Sequence, residues 1–358
     1  PVAGDQGEPS ASAGGMAADA TGAVTVALTG DVLWHDSLVA SVKADAKAAG
    51  RTGFYTEPLF AQVKPVLQAA DVAVCQEETP IQPPGVRSTG YPTFGAPYES
   101  AQALADLGFD ACTTASNHSL DKGEKGLRNT LATLRGVGIL PVGTGADASD
   151  VAPRIVTTAS GVRVAFVAGT WALNGDDNPP GWMVNNVVPE DMIARARAAR
   201  AAGAQIVIAN VHAGTEYTDR PNADQTSIMK ALALSGEFDL VYGHHPHTVQ
   251  PWTKIGGVWV VYSVGNLVAQ MRKSEPTSME GIVAQFRFEP DAGGRYRVAR
   301  ASYVPLLVTF ATAGAPARVL DVSSPDAAGF APASRIRQAR ERIRSTVLAF
   351  GATGIEED

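Results

Sequence analysis

From Val24 onward, the chain alternates short apolar segments rich in β-branched residues with segments of helical spacing. The predicted strands include "VTVALTGD", "DVAVCQEETP", "DACTTASNH", "ILPVGTG", "VRVAFVAGT", "IVIANVHAG", "DLVYGHH", "VWVVYSVGN", "GIVAQFRFEP" and "YRVARASYVPLLV". An alternation of strands and helices predicts right-handed crossovers and largely parallel sheets. The closing strand-rich part predicts antiparallel additions, and the two halves are compatible with two packed sheets.

The sequence divides into three regions. Residues 1–22 are rich in Gly, Ala, Ser and Pro and lack periodic apolar positions, which is typical of a flexible tether. A processed secreted or lipid-anchored bacterial protein would begin in this way, and so would a truncated chain with a leftover linker. Residues 23–312 form the predicted main domain. Residues 313–358 form a predicted C-terminal extension, in which "ASRIRQARERIRSTVLAFG" predicts an amphipathic packing helix.

Composition narrows the classes of function. A formal net charge of -7 argues against nucleic-acid or anionic-membrane binding as the main activity, because either would favour a basic face. No apolar run reaches the roughly 18 residues that a membrane-spanning helix needs. Cys75 and Cys112 are too few for a disulfide scaffold or a cysteine zinc site. We expect two buried free thiols, with pairing in an oxidising compartment as the alternative.

Acidic, amide and imidazole side chains recur at the C-terminal ends of the predicted strands. They are Asp31, Glu78, Asn117 with His118, His212, and the group His244, His245 and His247 in "GHHPH". In α/β sheets, ligands bind at this edge, because its loops gather residues that are distant in sequence. Acid, amide and imidazole donors are the ligand set of a divalent transition metal. The sequence therefore predicts a site for one or two divalent ions, with Zn, Mn and Fe as the candidates.

Each of these residues also has a structural interpretation when it stands alone. A histidine after a strand, such as His212, is commonly a hydrogen-bonded core residue, and Asp31 or Asn117 would serve as turn or cap residues. Packing does not require five strand ends to carry ligand-type side chains, so the combination favours a metal site. Within "HPH", an extended backbone would point His245 and His247 to the same side.

Six ordered blocks of the sequence resemble a known family. They are "LTGDV", "DVAVCQEETP", "SNHSLDKGEKGLRNTLATLRGVGILPVGTG", "NVHAGTEY", "FDLVYGHHPHTVQP" and "VVYSVGNLV", spread from about Val24 to about Val268. They resemble the CapA/PgsA proteins, the bacterial poly-gamma-glutamate capsule synthesis family, which is related to the calcineurin-like metallophosphoesterases. The resemblance implies an α/β fold, a four-layer α/β/β/α sandwich of metallophosphoesterase type with two mixed sheets flanked by helices.

The resemblance also implies a set of metal ligands. Asp31 is similar to the metal aspartate after the first strand, and Glu78 to the acidic residue that bridges two ions. The remaining implied ligands are Asn117, His212, His245 and His247, with His244 as the alternative to His245. A bound ion of this kind would lower the pKa of water toward neutrality.

Four further residues receive implied roles near the ions. His118 is similar to the histidine that assists the leaving group, by donating a proton. Asp121 would orient that ring, or it would act as the N-cap of the helix starting near Gly123. Glu216 and Asn266 fall in the blocks of the family, and we expect them behind the ligands or at the substrate mouth.

The sequence departs from the phosphoesterase pattern at two places. That pattern usually opens with Asp-x-His, but the His position is Leu33 here, and His35, a possible ligand or a residue behind the ligands, comes two residues later. The first ion is therefore expected to lack one ligand. In the acidic block, Glu77 competes with Glu78, although strand alternation places the two on opposite faces and the family register favours Glu78.

Three functions are compatible with these observations. The first, which the intact set of ligands favours, is a metal-dependent hydrolase or transferase that acts on an anionic surface polymer, and the resemblance implies poly-gamma-glutamate as that polymer. The second is a non-catalytic accessory subunit of a membrane synthase and exporter, and the third is a phosphoesterase for small phosphate esters. The resemblance implies an extracytoplasmic protein, secreted or lipid-anchored, and nucleic acid is not an expected partner.

Overall fold

A computed structural model describes residues 22–175, 179–271, 274–312 and 314–358. The predicted tether lies outside the described residues, except for Gly22. Within these ranges, no helix is long and apolar enough to cross a membrane. The described ranges include the predicted main domain and the predicted C-terminal extension, apart from residues 176–178, 272–273 and 313.

The strands and helices follow the predicted alternation. In chain order, the strands are β1 (Val24–Val32), β2 (Val72–Glu77), β3 (Ala111–Thr113), β4 (Leu140–Val142), β5 (Arg154–Thr157), β6 (Arg163–Thr170), β7 (Ile206–His212), β8 (Leu240–His244), β9 (Trp252–Ile255), β10 (Val258–Val261), β11 (Asn266–Val268), β12 (Glu280–Pro290), β13 (Tyr296–Val308), β14 (Val319–Asp321) and β15 (Ile355–Glu357). The α-helices are α1 (Asp36–Ala48), α2 (Glu57–Phe60), α3 (Lys64–Gln68), α4 (Ser100–Leu107), α5 (Gly123–Gly136), α6 (Pro189–Ala201), α7 (Ala223–Leu234) and α8 (Ala333–Val347).

Two mixed sheets organise the chain. In the described residues, the larger sheet has nine strands in the order β14-β13-β12-β1-β2-β3-β4, with β11 beside β1 and β15 beside β13. The smaller sheet has six, in the order β5-β6-β7-β8-β10-β9. Strands β1 to β4 run parallel, as do β6, β7, β8 and β10, whereas β12 to β14 are antiparallel. The predicted antiparallel additions are thus confirmed.

Three apolar layers show how the sheets and helices stack. Between the sheets, Val26 and Val74 of the larger sheet share one cluster with Ile208 of the smaller sheet. Helices α1, α3 and α4 cover the other face of the larger sheet through a second cluster. Helices α6 and α7 cover the smaller sheet through a third. The predicted four-layer arrangement of two mixed sheets flanked by helices is confirmed.

Two predicted segments are divided in the structure. The helical spacing of "GFYTEPLFAQVKPVLQAA" corresponds to two short helices, α2 and α3, and Pro65 lies at the start of the second, where proline is tolerated. The predicted strand "VWVVYSVGN" is also two strands, β10 in the smaller sheet and the beginning of β11 in the larger one. The chain therefore crosses from one sheet to the other between Val261 and Asn266.

This crossing requires a glycine in the first strand. A Cβ atom added at Gly30 would lie 1.7 Å from the carbonyl oxygen of Gly265. We expect Gly30→Ala to lower the free energy of unfolding by about 3 kcal/mol, because the two backbones would have to separate. Chemical denaturation measures this change. Gly136→Ala is the control: its added methyl group meets open space among the described residues, and alanine favours the helix by about 1 kcal/mol. Equal stabilities of the two variants would contradict the expectation.

Candidate metal centre

The predicted ligand residues meet in the interior, at the carboxyl ends of the strands. Asp31 lies near the end of β1, Glu78 follows β2 and Asn117 follows β3, all in the larger sheet. His212 and His244 end β7 and β8 of the smaller sheet, and His245 and His247 follow in the next loop. All of these side chains are buried. The centre therefore draws donors from both sheets.

Among the residues that the structure describes, three groups of donor atoms are close enough to hold an ion. Within each group, the ligand atoms lie within 4.8 Å of one another. The groups are Asp31 with Glu78 and His247, Glu78 with His212 and His245, and Asp31 with His212 and His244. Asn117 belongs beside the second group, because its Oδ1 lies 2.8 Å from His212 Nε2. Asp31, Glu78 and His212 each belong to two of the groups. The two groups that share Glu78 place its carboxylate where it could bridge two ions.

Unpaired polar atoms in this cluster provide a test of whether a cation fits. Among the described groups, Asp31 Oδ1, both carboxylate oxygens of Glu78 and His245 Nδ1 are buried without a hydrogen-bond partner. An unpaired polar atom in a protein interior is costly, and two buried carboxylates side by side are more so. A divalent cation would satisfy these atoms together. The donor set of carboxylates, imidazoles and an amide therefore fits a divalent metal ion.

The charges of the cluster shift the pKa values of its groups. Burial, and then the charge of Asp31, raise the pKa of Glu78 well above its usual range. Burial lowers the pKa of His245 to about 3 and that of His244 to about 4, so both rings are neutral and keep a lone pair. Burial also disfavours a charged His247, but the carboxylates of Glu78 and Asp31 raise its pKa to about 10. The cluster thus favours positive charge beside its carboxylates.

The backbone of the "HPH" loop is not extended, so that prediction is wrong. Among the described non-glycine residues, positive φ angles occur at Tyr217, His245 and His247, with values of 60°, 100° and 57°. Such residues favour negative φ angles, so the surrounding structure must hold these ones in place. One such contact is the hydrogen bond from Tyr217 N to Pro246 O, at 2.8 Å. The histidines reach the cluster through a left-handed turn.

His244 differs from its two neighbours in its contacts. Its Nδ1 lies 2.7 Å from His212 Nδ1, and its Nε2 lies against the carboxamide of Asn210. Both ring nitrogens of His244 therefore contact other side chains, one that of Asn210 and the other that of His212. His245 and His247 instead join the two groups that contain Glu78. His244 also remains in a donor group, with Asp31 and His212, so the choice among the three histidines stays a prediction.

Glu77 and His35, the two alternative ligands from the motifs that differ from the phosphoesterase pattern, belong to none of the donor groups. Alternation along β2 directs Glu77 to the face of Cys75, opposite Glu78, and its Oε1 accepts a hydrogen bond from Thr79 Oγ1 at 3.3 Å. Burial raises its pKa to about 8. His35 belongs to none of the three donor groups, and its Nδ1 accepts a hydrogen bond from Gln270 N. Leu33 packs in an apolar cluster and offers no donor.

His118 and Asp121 form a pair beside Asn117. The distance from His118 Nδ1 to Asp121 Oδ2 is 2.7 Å. Asp121 Oδ2 also accepts a hydrogen bond from Phe94 N at 2.7 Å, and the residue before α5 is Lys122. The alternative of Asp121 as a helix cap is therefore wrong, and its carboxylate orients the imidazole of His118.

The two remaining predicted residues contact His247. Asn266 Oδ1 lies 3.0 Å from His247 Nδ1, and the amide of Asn266 donates to Ser278 O at 2.8 Å. Glu216 Oε1 lies 3.9 Å from His247 Nε2, at the mouth of a cavity that also contains His118 and Tyr217.

Two asparagines at the site were missed by the sequence analysis. Asn174 donates its backbone N–H to Asn117 O at 2.8 Å, and its Nδ2 lies 3.1 Å from His118 Nδ1. Asn210 lies on β7, two residues before His212, and contacts His244. The available signal for Asn210 was the alternation of β7, which puts it on the same face as His212. Asn174 lies in a loop without such periodicity.

The prediction of two free thiols is wrong. Cys75 and Cys112 form a disulfide between β2 and β3, where they are direct partners in the parallel register. The bond lies three residues before Glu78 and five before Asn117. Both strands that deliver these ligands are thus linked covalently close to the centre.

Comparisons with known proteins point to one family. The model of the bacterial capsule synthesis protein PGA_cap matches residues 25–271. The PGA biosynthesis protein CapA of Bacillus subtilis (strain 168) is 27% identical over 255 residues, which are 68% of this chain and 64% of that protein. The capsule biosynthesis protein CapA of Bacillus anthracis is 31% identical over 182 residues, 49% of this chain and 44% of that protein. The chain thus spans less than two thirds of the length of these relatives.

A solved structure with partial similarity is the calcineurin-like phosphoesterase YfkN from Bacillus subtilis, with a TM-score of 0.45 and 14% identity over 92% of this chain and 98% of that chain. The match to PGA_cap begins in β1 and ends after β11, so it contains every residue of the three donor groups. The chain belongs to the bacterial capsule synthesis protein family described by PGA_cap.

Proposed function

We propose that this protein is an extracytoplasmic, metal-dependent hydrolase or transferase of poly-gamma-glutamate. The observation that carries the proposal is the pair of His118 and Asp121 beside the buried donor cluster. A protein that only held polymer would not need an oriented imidazole at that place. The names of the relatives supply the polymer, since one of them is a PGA biosynthesis protein. The disulfide supports an oxidising, extracytoplasmic location.

The residues of this chain can be given roles in cleaving a γ-amide bond. Asp31, Glu78, Asn117, His212, His245 and His247 would hold one or two divalent ions. A bound ion would polarise the amide carbonyl and lower the pKa of water, so that the water oxygen adds to the carbonyl carbon. Asp121 holds the Nδ1 of His118. The Nε2 of His118, which lies 3.4 Å from Asn174 Nδ2, would donate a proton to the leaving nitrogen as the C–N bond breaks.

The main alternative is a non-catalytic accessory subunit of the polymer synthase and exporter. The observation that favours it is Leu33, whose buried, apolar side chain stands where the phosphoesterase pattern has a histidine ligand. A first ion with three donors would bind weakly, and the centre would then serve to hold structure or polymer.

The catalytic proposal predicts a large effect at His118. With protein loaded with Mn²⁺ or Zn²⁺, we expect His118→Asn to slow the cleavage of poly-gamma-glutamate by about 10² to 10⁴-fold, because the leaving nitrogen loses its proton donor. Asp121→Asn should slow it less, since the ring remains but loses its orienting carboxylate. The measurements are the number of new amino groups released and the length of the remaining polymer. A parallel assay with α-linked polyglutamate tests whether cleavage requires the γ-linkage.

Two controls separate catalysis from folding and metal loading. Asp224→Asn changes a surface carboxylate on α7 and should cleave like the unsubstituted protein. The metal content of His118→Asn should equal that of the unsubstituted protein, since His118 is not among the donor groups. If the metal-loaded protein leaves the polymer intact, the accessory function replaces the catalytic one.

A further inference from the structure

We infer that Glu216 is the missing ligand of the first ion group, and that it makes this group an oxygen-rich site suited to Mn²⁺ rather than Zn²⁺. The inference rests on the metal-dependent function proposed above. It assigns the two halves of the centre to different classes of ion. Glu216 would bind by turning its carboxylate toward the group formed by Asp31, Glu78 and His247.

The first group is incomplete without a further donor. Asp31, Glu78 and His247 supply three ligands, whereas protein sites for divalent transition metals commonly use four or more. Leu33 cannot contribute, because its side chain is packed with Phe94 and Ala269. The second group already has four candidate donors, since Asn117 joins Glu78, His212 and His245. A fourth donor for the first group must come from another part of the chain.

The hydrogen bonds of His247 identify which of its ring nitrogens would bind the first ion, and so where a fourth ligand must lie. Its Nδ1 faces two oxygen atoms, Asn266 Oδ1 at 3.0 Å and Asp31 Oδ2 at 3.1 Å. The amide nitrogen of Asn266 donates to Ser278 O, which fixes its oxygen toward His247. The amide oxygen of Asn266 can only accept a hydrogen bond, so the Nδ1 beside it carries the proton and the lone pair of a neutral His247 is on Nε2. Glu216 Oε1 lies 3.9 Å from this atom.

Glu216 is positioned to reach an ion bound at that nitrogen. Two donors that are each about 2.1 Å from one ion lie about 3 to 4 Å apart, and the distance from Glu216 to His247 Nε2 falls in this range. The carboxylate lies outside the tight donor groups, but its side chain is 42% exposed and lines the cavity that also contains His247. The backbone beside it is fixed to the "HPH" loop, through the bond from Tyr217 N to Pro246 O.

The resulting donor sets differ in chemistry. Asp31, Glu78 and Glu216 would surround the first ion with carboxylate oxygens and a single imidazole. The second ion would have two imidazoles, from His212 and His245. Carboxylates suit Mn²⁺ and similar hard ions, whereas imidazoles suit Zn²⁺. In the phosphoesterase pattern a histidine supplies the fourth ligand, whereas in this chain Glu216 would supply it. The first site would therefore prefer Mn²⁺.

The test is metal binding by the full chain, without an activity assay. Metal-free protein first receives one equivalent of Zn²⁺ and is then titrated with Mn²⁺, with free Mn²⁺ followed by electron paramagnetic resonance. We expect Glu216→Gln to weaken Mn²⁺ binding about 10 to 100-fold and to leave the first equivalent of Zn²⁺ bound. Glu275→Gln is the matched control: it removes a carboxylate of the same cavity, and it should change Mn²⁺ binding less than threefold.

Glu216→His supplies the opposite change. An imidazole at this position should raise the affinity of the site for Zn²⁺ relative to Mn²⁺ by about tenfold or more, which a structural role for Glu216 would not produce. Mn²⁺ binding by Glu216→Gln equal to that of the unsubstituted protein would overturn the inference while the metal-dependent function stands. If the unsubstituted protein binds neither Mn²⁺ nor Zn²⁺, the inference and the proposed function both fail.

Discussion

Glu78→Gln is expected to remove both ions, because Glu78 is a carboxylate that belongs to two of the donor groups. A glutamine keeps the size of the side chain and one carbonyl oxygen but removes the negative charge and the second ligand oxygen. We therefore expect bound metal to fall from up to two ions per chain to less than a tenth of that amount after dialysis without chelator. Elemental analysis gives the metal content, and calorimetric titration gives the loss of affinity, at least about 100-fold for each ion.

Glu77→Gln is the matched control for this experiment. The two residues are adjacent and both are buried, but Glu77 points to the opposite face of the strand. This variant should keep the full metal content. Retention of both ions by Glu78→Gln, or equal losses in the two variants, would contradict a bridging role for Glu78.

Replacing Cys75 and Cys112 together by alanine is expected to lower the free energy of unfolding by about 4 kcal/mol. The disulfide closes a loop of 37 residues, and the chain-entropy relation gives about this value for a loop of that length. Unfolding by urea measures the change. Metal affinity should fall as well, because β2 and β3 lead directly to Glu78 and Asn117 and would be held less firmly.

Chemical reduction of the disulfide separates the contribution of the cross-link to stability from that of the packing of the two sulfur atoms. The double alanine variant also loses two buried sulfur atoms, whereas the reduced protein keeps both thiols in the core. The stability of the protein under strong reductant should therefore approach that of the variant to within about 1 to 2 kcal/mol. An unchanged stability after reduction would mean that the bridge contributes nothing.

The strand ends were predictable because their pattern is local. Asp31, His212 and His244 each lie at the end of a mainly apolar strand, and parallel strands bring such ends to one edge. The pairing of Cys75 with Cys112 was not predictable in this way. It depends on β2 and β3 being neighbours in a register that places the two residues side by side, and spacing along the chain does not contain that information.

The conformation of the "HPH" loop also depends on distant contacts. Intrinsic preference favours extended backbone at His245 and His247, and the structure overrides it through bonds such as Tyr217 N to Pro246 O. Asn174 belongs to a loop that no periodic pattern marks, and its role follows from the position of Asn117 and His118. The division of "VWVVYSVGN" between two sheets depends on Gly30 and Gly265, whose close approach is a tertiary feature.

The donor groups join the two sheets, and this has a consequence for stability. Glu78 follows β2 of the larger sheet, whereas His212 ends β7 of the smaller sheet and His245 follows β8. An ion bound by all three would therefore cross-link two layers that share an apolar cluster. The unfolded chain cannot present these donors together, so binding would be linked to folding. A free ion concentration 100 times the dissociation constant would add about 2.7 kcal/mol to the free energy of unfolding. The free concentration of metal would then help to set the stability of the folded protein.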